Sequence, residues 1–586
     1  MAAKARHARP TWPAGGSGLL AWAQVGIVVL ALGGLVCLGW AHGVADLVPA
    51  SVCSLALVVA ICVPDRLWAA AGRYSRICAI AFCVTVLLRL YFVVATPYTY
   101  MQHDTWTFDA TAGHVAYIFR LADNGLRLLD VDPTSLWSFY NPPLSYYLGA
   151  AWVCAGRAFG LADAEAAESL QWLSLAYSVG ATYVGYLVLR QARLEGRALA
   201  LGFCAWALVP FFVPLSGNVS YDGLLTLLSL VTLLLLMRWY EDPTLARALR
   251  AGVCLGLALM TKTTAALLLL PALTSLILRL VSARGSYRID IHGTIDQVVA
   301  ALVPAAVFGG WWHVYAYLRF GMPFGYLQKV DPASPMNRSA YSLAQRLLPW
   351  WSGGFDPFLH LMSEYSIPLI ALKGATFDEF APDEPHLVCV GMVLLLIGAL
   401  LTIAVFVGIL RAAINLRSKT FGVKAGTIFM GVVFFSYVLG LVYLSLSEPF
   451  SCSSNFRYIV PVALPAAYFL AQLDGKDGGR RAVWSLLGAS LVLQVVFWVS
   501  AGTYGLLGVQ LWAFVLTLRR TRSVPAAPCA ADRIADSIHQ LPQGLLLRTL
   551  RSQLKGASIK SWSLCVFLDR RQARAGFALA WPLSHV

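Results

Sequence analysis

Charge is scarce in this sequence. Only 12% of its 586 residues are Asp, Glu, Lys or Arg, about half the share found in an ordinary soluble domain. Hydrophobic residues make up 59%, and the mean hydropathy is +0.68. A water-soluble fold has nowhere to hide that much apolar surface, so this class is excluded. The sequence also has no Walker loop, no Gly-rich dinucleotide fingerprint, no paired metal-ligand motif and no serine-triad signature. Without a loop to cradle nucleotide phosphates, an ATP-driven pump is disfavoured. The 12 cysteines contain no C-x-x-C pair, and most sit inside apolar runs, among them Cys37, Cys62, Cys83, Cys204 and Cys254. There they act as small apolar filler.

Long apolar runs fill the space those motifs leave. Candidate spans lie at 19–40, 47–64, 77–96, 170–190, 198–215, 223–240, 250–281 (two short helices), 297–317, 387–411, 425–447, 457–473, 482–500 and 502–519. The pattern predicts an all-α, polytopic bundle of about 13–14 transmembrane helices with external juxtamembrane helices. The first run exceeds the roughly 7–15 residues of a signal-peptide core and reads as a retained helix.

The formal charge of +15 suits topology rather than nucleic acid, because Lys and Arg gather in short cytoplasmic loops. Lys4, Arg6 and Arg9 place the N-terminus inside, and Arg66, Arg73 and Arg76 mark the next inner loop. Arg190, Arg193 and Arg197 should also be inside. That holds only if the apolar stretch 142–161 does not cross. Loop 162–169, with Asp163, Glu165 and Glu168 and no basic residue, supports an external surface helix there. Two large external loops emerge, 97–169 and 318–386. The chain then reads as an N-terminal stub with two extra helices (1–76), a core with both loops (77–475), a C-terminal hairpin (476–522) and a basic cytoplasmic tail (523–586).

Four elements carry potential chemistry. The segment Gln102–Asp109 places His103, Asp104 and Asp109 just beyond a span, where desolvation can raise a carboxylate's pKa and make it a base. Tyr140, Asn141, Pro142, Pro143 and Tyr146 open an aromatic helix with proline in its first turn. Lys262, in Gly256-Leu-Ala-Leu-Met-Thr-Lys-Thr-Thr264, is an intramembrane cation between two half-helices, which is costly and so points to function or to snorkelling. Arg457 and Tyr458, in Asn-Phe-Arg-Tyr-Ile-Val-Pro461, open a span where a guanidinium can grip phosphate. Arg89 lies inside a span and calls for an acid partner. Asp222 sits at an external turn and reads most simply as a helix N-cap.

Taken in order, these elements resemble the GT-C glycosyltransferases, closest to the branch holding protein O-mannosyltransferases and bacterial lipid A aminoarabinose transferases. The family's first external loop begins with an acid; Asp104, Phe108 and Ala112 follow its spacing, while Thr105 stands where a second acid is common. The Pro-Pro-Leu-aromatic segment, the Gly-Leu-Ala…Thr-Lys hairpin and the late Arg-Tyr…Pro element correspond to Tyr140–Tyr147, 256–264 and 456–461. The likeness covers roughly 77–475 and implies transfer of a sugar from a polyprenyl-phosphate donor to a hydroxyl of a protein, glycan or lipid acceptor. Asp104 would be the base, with Asp109 standing in for the second acid absent at Thr105. Lys262, Arg457 and Tyr458 would hold the donor phosphate. Arg89, His103, Tyr140, Asn141, Pro142, Pro143, Tyr146 and Asp222 would line the cleft. No sequence feature demands a cofactor, and a divalent metal is compatible with the site. The expected setting is a bacterial plasma membrane with the site facing outward, or the ER membrane in a eukaryote. A transporter or flippase of lipid-linked sugars is the rival reading; it calls for repeated halves, which the sequence does not display.

Overall fold

The computed structural model describes residues 67–100, 113–283, 291–349, 356–382, 384–475 and 477–520. The expected spans 19–40 and 47–64, the segment carrying His103, Asp104 and Asp109, and the tail 523–586 lie outside the described residues. The chain divides into two compact units, Met1–Val509 and Gln510–Val586, and the helical core belongs to the first. Among the described residues there is no strand, only an isolated antiparallel bridge between Asn337 and Phe450.

The helices that position the site are, in chain order, α1 (Ser75–Ala95), α2 (His114–Asp123), α3 (Leu144–Ala158), α4 (Asp163–Gln191), α5 (Gly196–Ala207), α6 (Phe212–Gly217), α7 (Asp222–Glu241), α8 (Leu245–Leu259), α9 (Leu269–Ala283), α10 (Ile291–Phe320), α11 (Ile367–Phe377), α12 (Pro385–Ile414), α13 (Phe421–Ser447), α14 (Ala463–Ala471) and α15 (Asp477–Arg520). Eight helical stretches among the described residues are long and apolar enough to cross a membrane. The protein is therefore an all-α integral membrane protein.

Local chemistry starts and stops these helices. Asp163 and Glu165 occupy the first turn of α4, where the helix dipole favours anions, and Glu165 accepts the Ala162 amide at 3.0 Å. Ser366 caps α11 by accepting the Leu369 amide. Pro385 opens α12, where its missing N–H costs nothing.

Several expected spans come out differently. The run 198–215 is broken into α5 and the six-residue α6, with Pro210 in the intervening turn. The run 457–473 is two short 3-10 turns followed by the nine-residue α14. Pro461 and Pro465 cannot donate the amides that a long helix needs there. The expected pair 482–500 and 502–519 is one helix, α15, because its glycines weaken a helix without ending it.

The stretch 142–161, expected to stay external, forms the 15-residue α3. α3 begins where its Leu144 amide donates to Met260 O at 3.0 Å, beside Lys262. In its last turn Arg157 pairs with Asp163 at the start of α4. The start of α4 belongs to the same end of the bundle, since Glu168 accepts the Tyr98 amide and Ser174 donates to Asn218 O. Both ends of α3 therefore lie on one side. The basic helix ends gather on the other: Arg193 pairs with Glu241, Arg197 with Asp474, and Arg247 with Asp242.

α8 and α10 touch backbone to backbone. A Cβ on Gly252 would fall 2.1 Å from Ala301 O, and one on Gly256 would fall 2.8 Å from Pro304 O. Small residues four apart make this approach feasible, as in other membrane helix pairs. Gly256 belongs to the lysine-bearing motif, so the motif's glycine sets the packing and its lysine is delivered by the turn that comes next.

Candidate active site

α8 unwinds just after Leu259. The amides of Met260 and Lys262 still donate back to Gly256 O and Ala258 O, at 2.9 and 3.1 Å, and Thr261 Oγ1 donates to Leu257 O at 2.9 Å. Lys262 then becomes extended (φ −160°, ψ 139°) and leads into a 3-10 turn, Thr263–Leu268. This break brings Lys262 to the start of α7. Its Nζ lies 2.7 Å from Asp222 Oδ1, with both side chains almost wholly buried. It also lies 4.2 Å from the ring centroid of Tyr221 and 4.6 Å from that of Tyr458. The negative faces of aromatic rings attract a cation most strongly where water is excluded.

Arg457 reaches the same ring. Its Cζ lies 5.2 Å from the Tyr458 centroid, and Nη2 donates to Tyr458 Oη at 3.3 Å. Two buried cations from distant parts of the sequence thus share one tyrosine. Burial pushes the Tyr221 and Tyr458 hydroxyls above their ordinary range, so both stay neutral at neutral pH.

Asn455 fixes the arginine turn. Its Oδ1 accepts the Arg457 amide at 3.0 Å, and its Nδ2 reaches Asp378 Oδ1 and Glu379 Oε1, both at 3.4 Å. Those acids follow α11, which the fully buried Glu364–Lys373 pair pins in place. The second large loop is thereby fastened to the arginine element.

The first large loop arrives from the other side. The Pro-Pro-Leu segment starts α3 against Met260. On α3, Tyr146 Oη sits 2.9 Å from His114 Nδ1, and the His114 ring meets Tyr221 edge-on at 5.0 Å. His114 opens α2 after Gly113, the first described residue beyond 101–112. Before that segment, Tyr100 packs against Phe380 with centroids 5.9 Å apart. Described residues on both sides of the acid-bearing segment are therefore held by elements of this site.

Most sequence-predicted residues converge here. Lys262, Arg457, Tyr458, Asp222 and Tyr146 are joined by direct contacts or through Tyr221 and His114, and Tyr140, Asn141, Pro142 and Pro143 form the entry to α3. The N-cap reading of Asp222 is corrected: Tyr221 holds the cap position, Asp222 is the first helical residue, and its carboxylate goes to Lys262. Arg89 is also corrected. It is fully buried, but its partners are Ser178 O and Oγ at 3.2 Å, Thr182 Oγ1 at 2.6 Å and Ala207 O at 3.1 Å, rather than an acid. These contacts tie α1 to α4 and α5 and leave the guanidinium committed to helix packing. His114 carries no sequence signal that would have found it, because a lone histidine ahead of an aromatic helix is ordinary. Among the described residues, no three His, Cys, Asp or Glu side chains group in a way that could hold a metal ion.

Comparison with known proteins adds an independent view. Residues 148–311 match the family described as dolichyl-phosphate-mannose-protein mannosyltransferase. This stretch runs from within α3 through most of α10 and includes Asp222 and Lys262. It bears out the resemblance read from the sequence over that part of the chain. Solved structures with a likeness include two of one archaeal enzyme. One is the Archaeoglobus fulgidus oligosaccharyltransferase complex with Zn and sulfate, with TM-score 0.41 and 16% identity, covering 72% of this chain and 53% of that one. The other is its apo form, with TM-score 0.41 and 13% identity, covering 74% and 56%. This chain spans about half the length of the solved structures it matches. No curated protein matches it.

Proposed function

We propose that this protein is a membrane glycosyltransferase that moves a sugar from a polyprenyl-phosphate donor to an acceptor hydroxyl on the non-cytoplasmic face. The observation that carries this reading is the pair of buried cations, Lys262 and Arg457, on the single ring of Tyr458. A buried cationic pair at one end of an apolar bundle suits a phosphate whose hydrocarbon chain stays in the bilayer. The basic helix ends opposite the site favour a cytoplasmic position for that side.

In the proposed reaction, Asp104 takes the proton of the acceptor hydroxyl as its oxygen attacks the anomeric carbon. The bond from that carbon to the phosphate oxygen breaks, and the phosphate leaves with the electron pair. Lys262 and Arg457 stabilise the charge that develops on it, a role in which preorganised donors in a dry site are most effective. Attack opposite the leaving group inverts the anomeric centre. Tyr140, Asn141 and the second loop shape the acceptor side.

The test is transfer from a panel of polyprenyl-phosphate sugars by membranes holding the wild type, Lys262→Gln or Asp104→Asn at matched protein level. Transfer lost in both variants supports the reading. Transfer that survives Lys262→Gln removes the phosphate assignment, and transfer that survives Asp104→Asn moves the base to Asp109. Movement of labelled donor between leaflets without transfer favours the flippase instead.

A further inference from the structure

In the structure, an anion of the protein itself, Asp222, sits against the buried Lys262. We infer that Asp222 is a built-in competitor for the donor phosphate: it holds Lys262 before the donor binds, yields it to the lipid phosphate, and takes it back when the product leaves. This competitor role rests on the phosphate role proposed above for Lys262.

The two anions would share one narrow space. Asp222 Oδ1 lies 2.7 Å from Lys262 Nζ, and the ammonium is held between the rings of Tyr221 and Tyr458. A phosphate reaching the Tyr458 side, where Arg457 also sits, must either draw Lys262 off Asp222 or lie close to a buried carboxylate. Like charges at that range repel strongly where solvent is excluded.

Asp222 is also built to stand without its lysine. It opens a 20-residue helix, where the dipole and free amides stabilise an anion. A serine two residues earlier brackets it: Ser220 Oγ accepts the Asp222 amide at 3.2 Å and donates to Asp222 Oδ2 at 3.5 Å. The carboxylate keeps these supports when Lys262 turns away.

Lys262, for its part, can move by its side chain alone. Its main chain is fixed by its own amide donating to Ala258 O and by its carbonyl accepting the Ala265 amide at 3.0 Å. A long, flexible stem on an anchored backbone can trade one anion for another while the helices stay in place. Transfer turns a phosphodiester into a more highly charged phosphate monoester. The competing carboxylate then counts most when that product must depart.

The probe is a sugar-free polyprenyl monophosphate titrated into the full-length protein in detergent, for the wild type, Lys262→Gln and Asp222→Asn, with folding checked by thermal melting. The expected result is that Lys262→Gln loses binding while Asp222→Asn binds more tightly by on the order of tenfold, the scale of one charged hydrogen bond removed from competition. A residue with only a structural role would weaken binding when changed. A folded Asp222→Asn protein that binds equally or less tightly overturns the competitor role and leaves the phosphate site intact. A wild type that does not bind, or Lys262→Gln that binds as wild type does, overturns the phosphate assignment and the competitor role together. If Asp222→Asn does not fold, the wild-type structure with the same lipid decides. Lys262 Nζ on the phosphate and away from Asp222 supports the exchange; Lys262 still on Asp222 overturns it.

Discussion

The amide of Leu144 donates to the carbonyl of Met260 across 3.0 Å, so the residue that opens the Pro-Pro helix is bonded to a residue two positions before the buried lysine. Two sequence elements more than a hundred residues apart thus meet through the main chain. α3 acts as a strut between the lysine turn and His114 at the start of α2. The contact needs a free amide at the helix start, which Leu144 supplies directly after Pro142 and Pro143.

If that strut positions the first loop, then Tyr146→Phe should be felt beyond its own hydrogen bond. The variant loses the 2.9 Å bond to His114 and the weaker one to Ser138 O. A drop of about 1 kcal/mol in stability is expected, read as a lower melting temperature. Transfer activity should fall further than that loss explains, because the segment bearing Asp104 leads directly into His114.

The Lys262–Asp222 pair should show strong coupling. Lys262→Gln leaves the buried carboxylate without its ammonium, a loss of up to about 3–5 kcal/mol that the helix start and Ser220 offset in part. Replacing both residues by apolar ones of similar size, Lys262→Met with Asp222→Leu, should restore most of the melting temperature but none of the transfer. A double variant as unstable as the single one would mean that the pair contributes through something other than charge compensation.

Glycine substitutions should have opposite effects at two places on the helix pair α8 and α10. Gly252→Ala forces a Cβ to 2.1 Å from the Ala301 carbonyl, and the backbone must shift at a cost of about 1–3 kcal/mol. Gly310→Ala on α10 meets nothing within 4 Å and gains helix propensity. Melting temperatures should fall for the first and hold or rise for the second.

Arg89→Lys should reduce stability while sparing the catalytic parameters of the folded fraction. A lysine carries three donors on a point charge and cannot reproduce the fork that spans Ser178, Thr182 and Ala207. A KM change in well-folded Arg89→Lys would return this residue to the cleft.

Charge makes much of this fold legible in the sequence. The positions of the arginines predict an α3 that does not cross, and Lys262 is conspicuous because an ammonium in an apolar run is costly. Asp222 escapes the same reasoning because aspartate at a helix start usually caps it, and its partner lies 40 residues further on. Arg89 calls for an acid in the sequence, yet hydroxyls and carbonyls satisfy it, and these leave no charge signature. The breaks in 198–215 and 457–473 are signalled by Pro210, Pro461 and Pro465, but hydropathy averaged over a window smooths such breaks away.

The most direct test of the transferase role is transfer by the purified wild-type protein. It would be supplied with radiolabelled polyprenyl-phosphate sugars and a mixture of protein, glycan and lipid acceptors, and the label would be followed from lipid to acceptor. A lipid-sugar transferase puts label on an acceptor and releases polyprenyl phosphate in equal amount. Label that stays on the lipid with every donor, in protein shown to be folded and to bind polyprenyl phosphate, would contradict that role.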